Sequence, residues 1–459
     1  MGGSFARVLR RKDVVALAFG AMVGWSWVIL TGEWIHTAGA LGAIAAFVGG
    51  GLGIGFIGLA YAELASAMPY AGGEHVYSLR ALGTLASFVC TWAIVLGYGS
   101  VVAFEAVALP TVLDYLIPGF SALPLWTVAG SPVYASWVGV GVAGAVLMTA
   151  VNVLGMRPTA VLQTSATLGI LAGGLLLLFG ASLHGDLSAA APFANGTQGM
   201  LGVLIMVPFM FVGFDVIPQS AEEVDLPERD IGRMLLLSVV LAVAWYAAMI
   251  AGAAAGLDAQ ALQASKLATA DAATAMWGAG WAGQCIVLAG AAGILTSWNA
   301  FLVGGSRAVY ALAHAGMLPR FLGRLHPRFR TPHCAVLLIG ALSCLAPLFG
   351  RRALVWLVDA GGFGIVIAYA MVALSFLVLR RREPDMARPF RVRHGALVGW
   401  AALLVSLGLA ALYTPWSPVA LAWPQEWGIV LAWSALGAGF YAAARRGLQP
   451  ASAPHRPEA

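Results

Sequence analysis

Apolar residues dominate this chain in long blocks, and short polar stretches separate the blocks. Runs of roughly 18 or more apolar residues recur from one end to the other, each long enough to cross a ~30 Å hydrocarbon layer as a helix. The pattern predicts spans near 14–37, 40–66, 85–113, 134–154, 159–181, 200–221, 232–256, 281–313, 332–348, 353–380, 396–414 and 424–444, twelve in all. The run at 281–313 is longer than a bilayer needs, so part of it projects. The longest polar stretches lie at 67–84, 222–233, 314–331 and 380–394, and none has the makings of a separate soluble domain. The expected fold is an all-α integral membrane protein with 12 transmembrane helices. The first twelve residues and the Pro- and Ala-rich tail after Arg446 read as poorly ordered.

Composition agrees with the pattern. Of the 459 residues, 60% are hydrophobic and only 10% are charged, against about 25% charged in a soluble domain. The first apolar run has no small-residue cleavage site behind it, so it reads as a retained helix and not a signal peptide. The net charge of +5 is spread through loops and does not point to nucleic acid. Alternate loops are strongly unequal in Lys and Arg. With the N-terminus inside, 22 of the 25 basic residues fall on the inner side, and only Lys266, Arg351 and Arg352 fall outside. That asymmetry places segments 1–13 and 445–459 in the cytoplasm and the protein in the cytoplasmic (inner) membrane.

Enzyme signatures are missing from the pattern. Gly49 to Gly58 is glycine-rich but lies inside a span and lacks the Lys-Ser/Thr of a phosphate loop. There Gly51 and Gly55 form a small-residue face for close helix packing. Cys90, Cys285, Cys334 and Cys344 show no metal spacing and read as structural. No nucleotide-binding domain is legible, and no cofactor or metal is expected.

The informative segment is Phe209 to Arg233, FMFVGFDVIPQSAEEVDLPERDIGR. It starts as an apolar span and then breaks its own pattern with Gly213, Asp215 and Pro218. A helix interrupted at a binding site has this composition. The first span holds a matching step, Val23-Gly24-Trp25 against Val212-Gly213-Phe214, each opening one half of a five-plus-five arrangement. Paired interruptions of this kind mark a site at the midplane of the membrane. A break frees backbone N–H and C=O groups, which attract an anion and a cation respectively; close packing of small residues is the alternative at Gly24 alone. Among membrane-embedded carboxyls, Asp215 is the functional candidate. Glu105 is either functional or a carboxyl bonded to neighbouring helices. Glu33 lies at an entrance vestibule or simply in water, and Glu63 reads as a helix-end anchor. Thr296 and Ser297 either ligate a small cation or bond back to their own helix.

These residues carry a family resemblance. Phe209 to Arg233, with Gly-Phe-Asp, Ala-Glu-Glu-Val and a Pro-x-Arg-x-Ile-like tail, resembles the sixth-helix signature of the amino acid–polyamine–organocation (APC) superfamily, in its amino acid permease branch. Tyr61-Ala62-Glu63-Leu64 with Pro69-Tyr70-Ala71-Gly72-Gly73-Glu74-His75-Val76-Tyr77 resembles its second helix and following loop. Ser297-Trp298-Asn299-Ala300, Ser306-Arg307 and Gly316-Met317-Leu318-Pro319 resemble its eighth. Gly155, Gln163 and Thr167 fit a looser fifth-helix pattern.

The resemblance implies a LeuT-type fold of two inverted five-helix repeats, 14–181 and 200–380, with broken helices 1 and 6 and two peripheral helices at 396–444. It implies a secondary active transporter for a small amino acid or related amine, monomeric or homodimeric in the lipid bilayer. Substrate would contact Val23, Gly24, Trp25, Ser26, Trp27, Phe209, Phe211, Gly213, Phe214 and Asp215. The backbone of Gly24 to Ser26 would take a carboxylate, and carbonyls near Phe209 to Gly213 an amine. Phe209 would serve as an aromatic gate and Asp215 as the acidic group beside it. The first-helix motif departs from the family's Gly-Ser/Thr-Gly, since Trp25 and Ser26 follow Gly24. That narrows backbone approach and points to a small substrate or an amine without a carboxylate. The fifth helix has no lysine, so proton coupling would fall to Asp215 or Glu105, with Glu33 as a further gating candidate. Sodium at Thr296 and Ser297, or exchange, is the alternative coupling. A ligand-binding membrane sensor or partner subunit without flux is the alternative from another class.

Overall fold

The computed structural model describes residues 5–117, 119–186, 193–417 and 420–447. Residues 1–4 and most of the expected tail, 448–459, lie outside that range. Among the described residues, ten helices are long and apolar enough to cross a membrane, and two shorter apolar helices, Gly196–Met210 and His333–Phe349, accompany them.

The first span is not one helix. α1 (Arg11–Val23) stops at Gly24, whose φ of 47° is open to glycine and strained for other residues. The chain resumes as α2 (Ser26–Ile29) and α3 (Thr31–Ala38). α4 (Ala40–Ala67) and the short α5 (Glu74–Leu82) lead to α6 (Thr84–Leu116). A small antiparallel hairpin, β1 (Pro124–Val128) with β2 (Ser131–Tyr134), follows. It corrects the all-α expectation. Its register is outward-facing on β1, so it lacks the apolar alternation by which a strand announces itself.

α7 (Ala135–Val153) and α8 (Met156–His184) come next. The second interruption falls where the sequence places it. α9 (Gly196–Met210) ends, Gly213 takes a φ of 134°, and α10 (Val216–Gln219) begins beyond Asp215. α11 (Glu228–Gly256) follows, then two loop helices, α12 (Ala259–Ala264) and α13 (Ala268–Trp277). α14 (Gly280–His314) is one unbroken helix of 35 residues. α15 (His333–Leu345), α16 (Gly350–Arg382), α17 (Gly395–Leu412) and α18 (Gln425–Gly447) finish the chain.

Glycine sets how closely the helices approach. On α4 the packing face is Gly50 against Val207 of α9 and Gly51 against Val243 of α11, while Gly55 meets nothing within 4 Å. Of the expected Gly51/Gly55 pair, Gly51 makes a close helix contact and Gly55 does not. Gly97 of α6 receives Ile365 of α16 in the same manner.

The face that carries the N-terminus is tied by ion pairs. Arg307 of α14 forks onto Glu223 at 2.9 Å with both side chains fully buried. Glu63 of α4 is buried and takes Arg380 at 2.5 Å and Arg388 at 3.0 Å. Residues 5–10, expected to be loose, are pinned here. Val8 and Leu9 donate to the Glu223 carbonyl, Asp225 donates to that of Leu9, and Phe5 packs edge-on against Tyr310. Phe5 and Leu9 are apolar enough to be buried, a signal that the polar residues around them mask.

Candidate binding site at two interrupted helices

The two interruptions meet. Gly213 lies against Ala21 and Met22 at the end of α1, where a side chain would collide with both. A cavity of about 280 Å³ opens beside them, walled by α1, α2, α6, α9, α14 and α16. Val23, Gly24, Trp25, Ser26 and Phe209 line it, as do Glu105 and Ser297. Phe209 is half-buried and also lines a second cavity of about 660 Å³ bounded by α9, α16 and α17. It stands between the two, with Leu30, Met210, Val355 and Val358.

Several expected contacts lie elsewhere. Trp27 is fully buried and packs edge-on against Trp245 of α11. Phe211 packs against Phe47 and Tyr246, and Phe214 against Tyr61 and Tyr369. None of the three lines the cavity. Trp25 does border it, but its indole fills a notch in α14 left by Gly290, where any Cβ would overlap the ring. The tryptophan rings thus occupy helix seams. Their direction depends on Gly290 and Trp245, more than 200 residues away, and no local pattern reveals it.

Asp215 is fully buried one step behind the cavity. Its carboxylate accepts from the hydroxyl of Tyr98, from that of Tyr369 at 3.3 Å and from the Gly213 N–H at 2.8 Å. α6, α16 and the second interruption are thereby clasped at one point. Below it, Gln219 donates to Glu74 of α5. Burial, with Asp215 adding its charge, pushes the Glu74 carboxyl well above the ordinary range. Gly72 and Gly73 ride against Ala311 and Pro218, and the Gly72 N–H donates to the Gln219 carbonyl at 3.2 Å. The loop motif Pro69 to Tyr77 thus packs against α10 from this side.

Thr296 donates toward the Gly20 and Gly293 carbonyls at 2.9 and 2.8 Å, and Ser297 donates to Glu105. Gln163 of α8 donates to the Ala16 carbonyl at 3.1 Å and accepts from Asn299 at 2.8 Å. The carbonyls that could face a cation near α1 are thus met by side-chain donors. Glu33 is exposed on α3 and borders a separate polar pocket with His36 and Lys266. Among the described residues no three His, Cys, Asp or Glu side chains group as metal ligands.

One central residue had no sequence signal. The Tyr246 hydroxyl of α11 donates to the Met22 carbonyl at 2.7 Å, lies 2.8 Å from Ser26 Oγ and 3.5 Å from the Met210 carbonyl. It bridges the last turn of α1, the first residue of α2 and the last of α9. A lone tyrosine in an apolar span looks like packing, and its partners come from three separate elements.

Comparison with known proteins agrees with this architecture. The family model described as amino acid permease matches residues 9–439. The branched-chain amino acid permease BcaP of Bacillus subtilis (strain 168) is 26% identical over 421 residues, covering 88% of each chain. The methylthioribose transporter of the same organism is 26% identical, over 85% of this chain and 84% of its own. Its aspartate-proton symporter is 24% identical, over 86% and 77%. With a family match that runs nearly from end to end over two interrupted helices, the chain belongs to the amino acid permease family.

Proposed function

We propose that the protein is a secondary active transporter that moves a small amino acid or related amine across the cytoplasmic membrane by alternating access. The observation that carries the reading is the meeting of two interrupted helices, at Gly24 and Gly213, beside a cavity. Free backbone groups at such breaks supply polar walls inside the membrane without charged side chains. Twelve spans arranged as two inverted five-helix repeats, with both termini in the cytoplasm, accommodate the ten long and two short apolar helices and the skewed Lys and Arg distribution. On this reading the cavity faces outward past Phe209, and the Asp215 clasp closes the inner side.

Proton coupling is the favoured energy source. Tyr98, Tyr369 and the Gly213 N–H all donate to the Asp215 carboxylate, so a proton on it removes the charge that strengthens these bonds and loosens the inner closure. Sodium is less well supplied, because Gln163 and Thr296 already donate to the α1 carbonyls. Uptake of labelled amino acids and amines into proteoliposomes, with and without an imposed pH gradient, tests the reading. Saturable uptake that rises with an inward proton gradient is expected; absence of saturable flux for the whole panel removes the transporter assignment.

A further inference from the structure

Glu105 is buried at 4% exposure on α6, and one of its oxygens accepts from Ser297. The other, Oε2, is buried without a partner and belongs to a side chain that lines the 280 Å³ cavity. A buried carboxyl oxygen left unpaired is costly and calls for an explanation. Glu105 is also the single ionisable side chain in the cavity wall among the described residues. The rest is chiefly apolar, with Val101, Phe104, Ala108, Phe301 and Val358 around it and no Lys, Arg or His to neutralise the carboxylate.

Its position relative to the first break is the decisive point. Ser297 lies in van der Waals range of the Cβ position of Gly24, so its bond to Glu105 places that carboxyl one hydrogen bond away from the interruption, where a bound ammonium would hold it as a carboxylate. Two carboxylates a few ångströms apart in a poorly hydrated cavity repel strongly, whereas an ammonium there satisfies the unpaired oxygen. A zwitterionic amino acid with its carboxylate at Gly24 would meet that repulsion. A molecule bearing a cationic nitrogen alone would not.

We propose that Glu105 is a specificity-determining residue that receives the ammonium of a compact monoamine, and that the cavity therefore prefers such an amine to the amino acid with the same side chain. The inference rests on the transporter reading and names its substrate class. Charge and Ser297 fix one end, and the apolar walls accept an alkyl or aryl body.

The test uses a matched pair, 3-methylbutylamine and leucine, which differ only in the carboxylate. Thermal stabilisation of the purified full-length protein and counterflow in proteoliposomes are read for each. The amine should raise the melting temperature and drive counterflow at concentrations where leucine does neither. Glu105→Gln should weaken the amine by about tenfold or more, as expected for the loss of one partner of a buried charge pair. The proposal is overturned if leucine stabilises the wild-type protein as well as the amine, if neither compound binds, or if Glu105→Gln binds the amine unchanged. Should that variant not fold, the matched pair on the wild-type protein still decides. Flux of leucine without the amine overturns the proposal and leaves the transporter reading standing; no flux of any amino acid or amine removes both.

Discussion

The carbonyl of Gly24 rests on Gly293 of α14, with no room between them for a methyl group. α14 thereby shapes the first break from outside it. Gly293→Ala should displace the Gly24 peptide and destabilise the protein by about 1–3 kcal/mol, the usual cost of overpacking. Gly55→Ala, at a glycine that meets nothing within 4 Å, is the matched control. Melting temperatures compare the two; equal effects would mean that the contact does not hold the break.

Removing the hydroxyl of Tyr246 should disturb both interruptions at once. Tyr246→Phe leaves the Met22 carbonyl short of a donor and Ser26 short of a neighbour. A loss of about 1–3 kcal/mol is expected for the orphaned buried groups. Transport should fall further than stability, because a loosened site binds less well even in folded protein. Uptake normalised to folded protein reads this; unchanged uptake would reduce Tyr246 to a packing residue.

Asp215→Asn keeps the shape of the side chain and changes what it offers to Tyr98, Tyr369 and the Gly213 N–H. The variant should fold and should abolish transport or decouple it from the proton gradient. Wild-type pH dependence of uptake in this variant would take Asp215 out of the proton role.

The Arg307–Glu223 pair is buried on both sides. Glu223→Gln should cost about 3–5 kcal/mol, because it strands a buried guanidinium. The double change Arg307→Met with Glu223→Met should recover part of that loss, since no charge is left unpaired. Thermal unfolding of the single and double variants checks the order.

His75 on α5 faces Ser87 and Thr91, and burial pushes its imidazole down to about 4. The unfolded chain takes up a proton near pH 6.5 and the folded chain does not. The stability this holds is present above pH 6.5 and drains away as pH falls toward 4, by about 3 kcal/mol in all. Glu74, raised by burial, works in the opposite direction. The difference between wild type and His75→Gln isolates the histidine: the wild type should lose more melting temperature between pH 7 and 4.5. Parallel curves would refute it.

Apolar length and glycine placement made the spans and both interruptions legible, because bilayer thickness and positive φ impose them residue by residue. Gly24 and Gly213 could be read for that reason. The hairpin at 124–134 and the helices α12 and α13 could not, being short and lying in loops without strong period. The walls of the cavity were partly legible. Gly24, Ser26, Phe209 and Glu105 share it, whereas Trp27, Phe211 and Phe214 turn toward neighbours that only tertiary packing supplies. Helical spacing says which residues are near a break; which way an aromatic ring leaves it depends on gaps such as Gly290.

The bonds between Val8, Leu9 and residues 223–225 join the start of the chain to the segment just past α10. The amino terminus is therefore tied to the segment that follows the second interruption. A fluorophore on the exposed side chain of Arg7 would ride with that segment and report its displacement without any label inside the membrane.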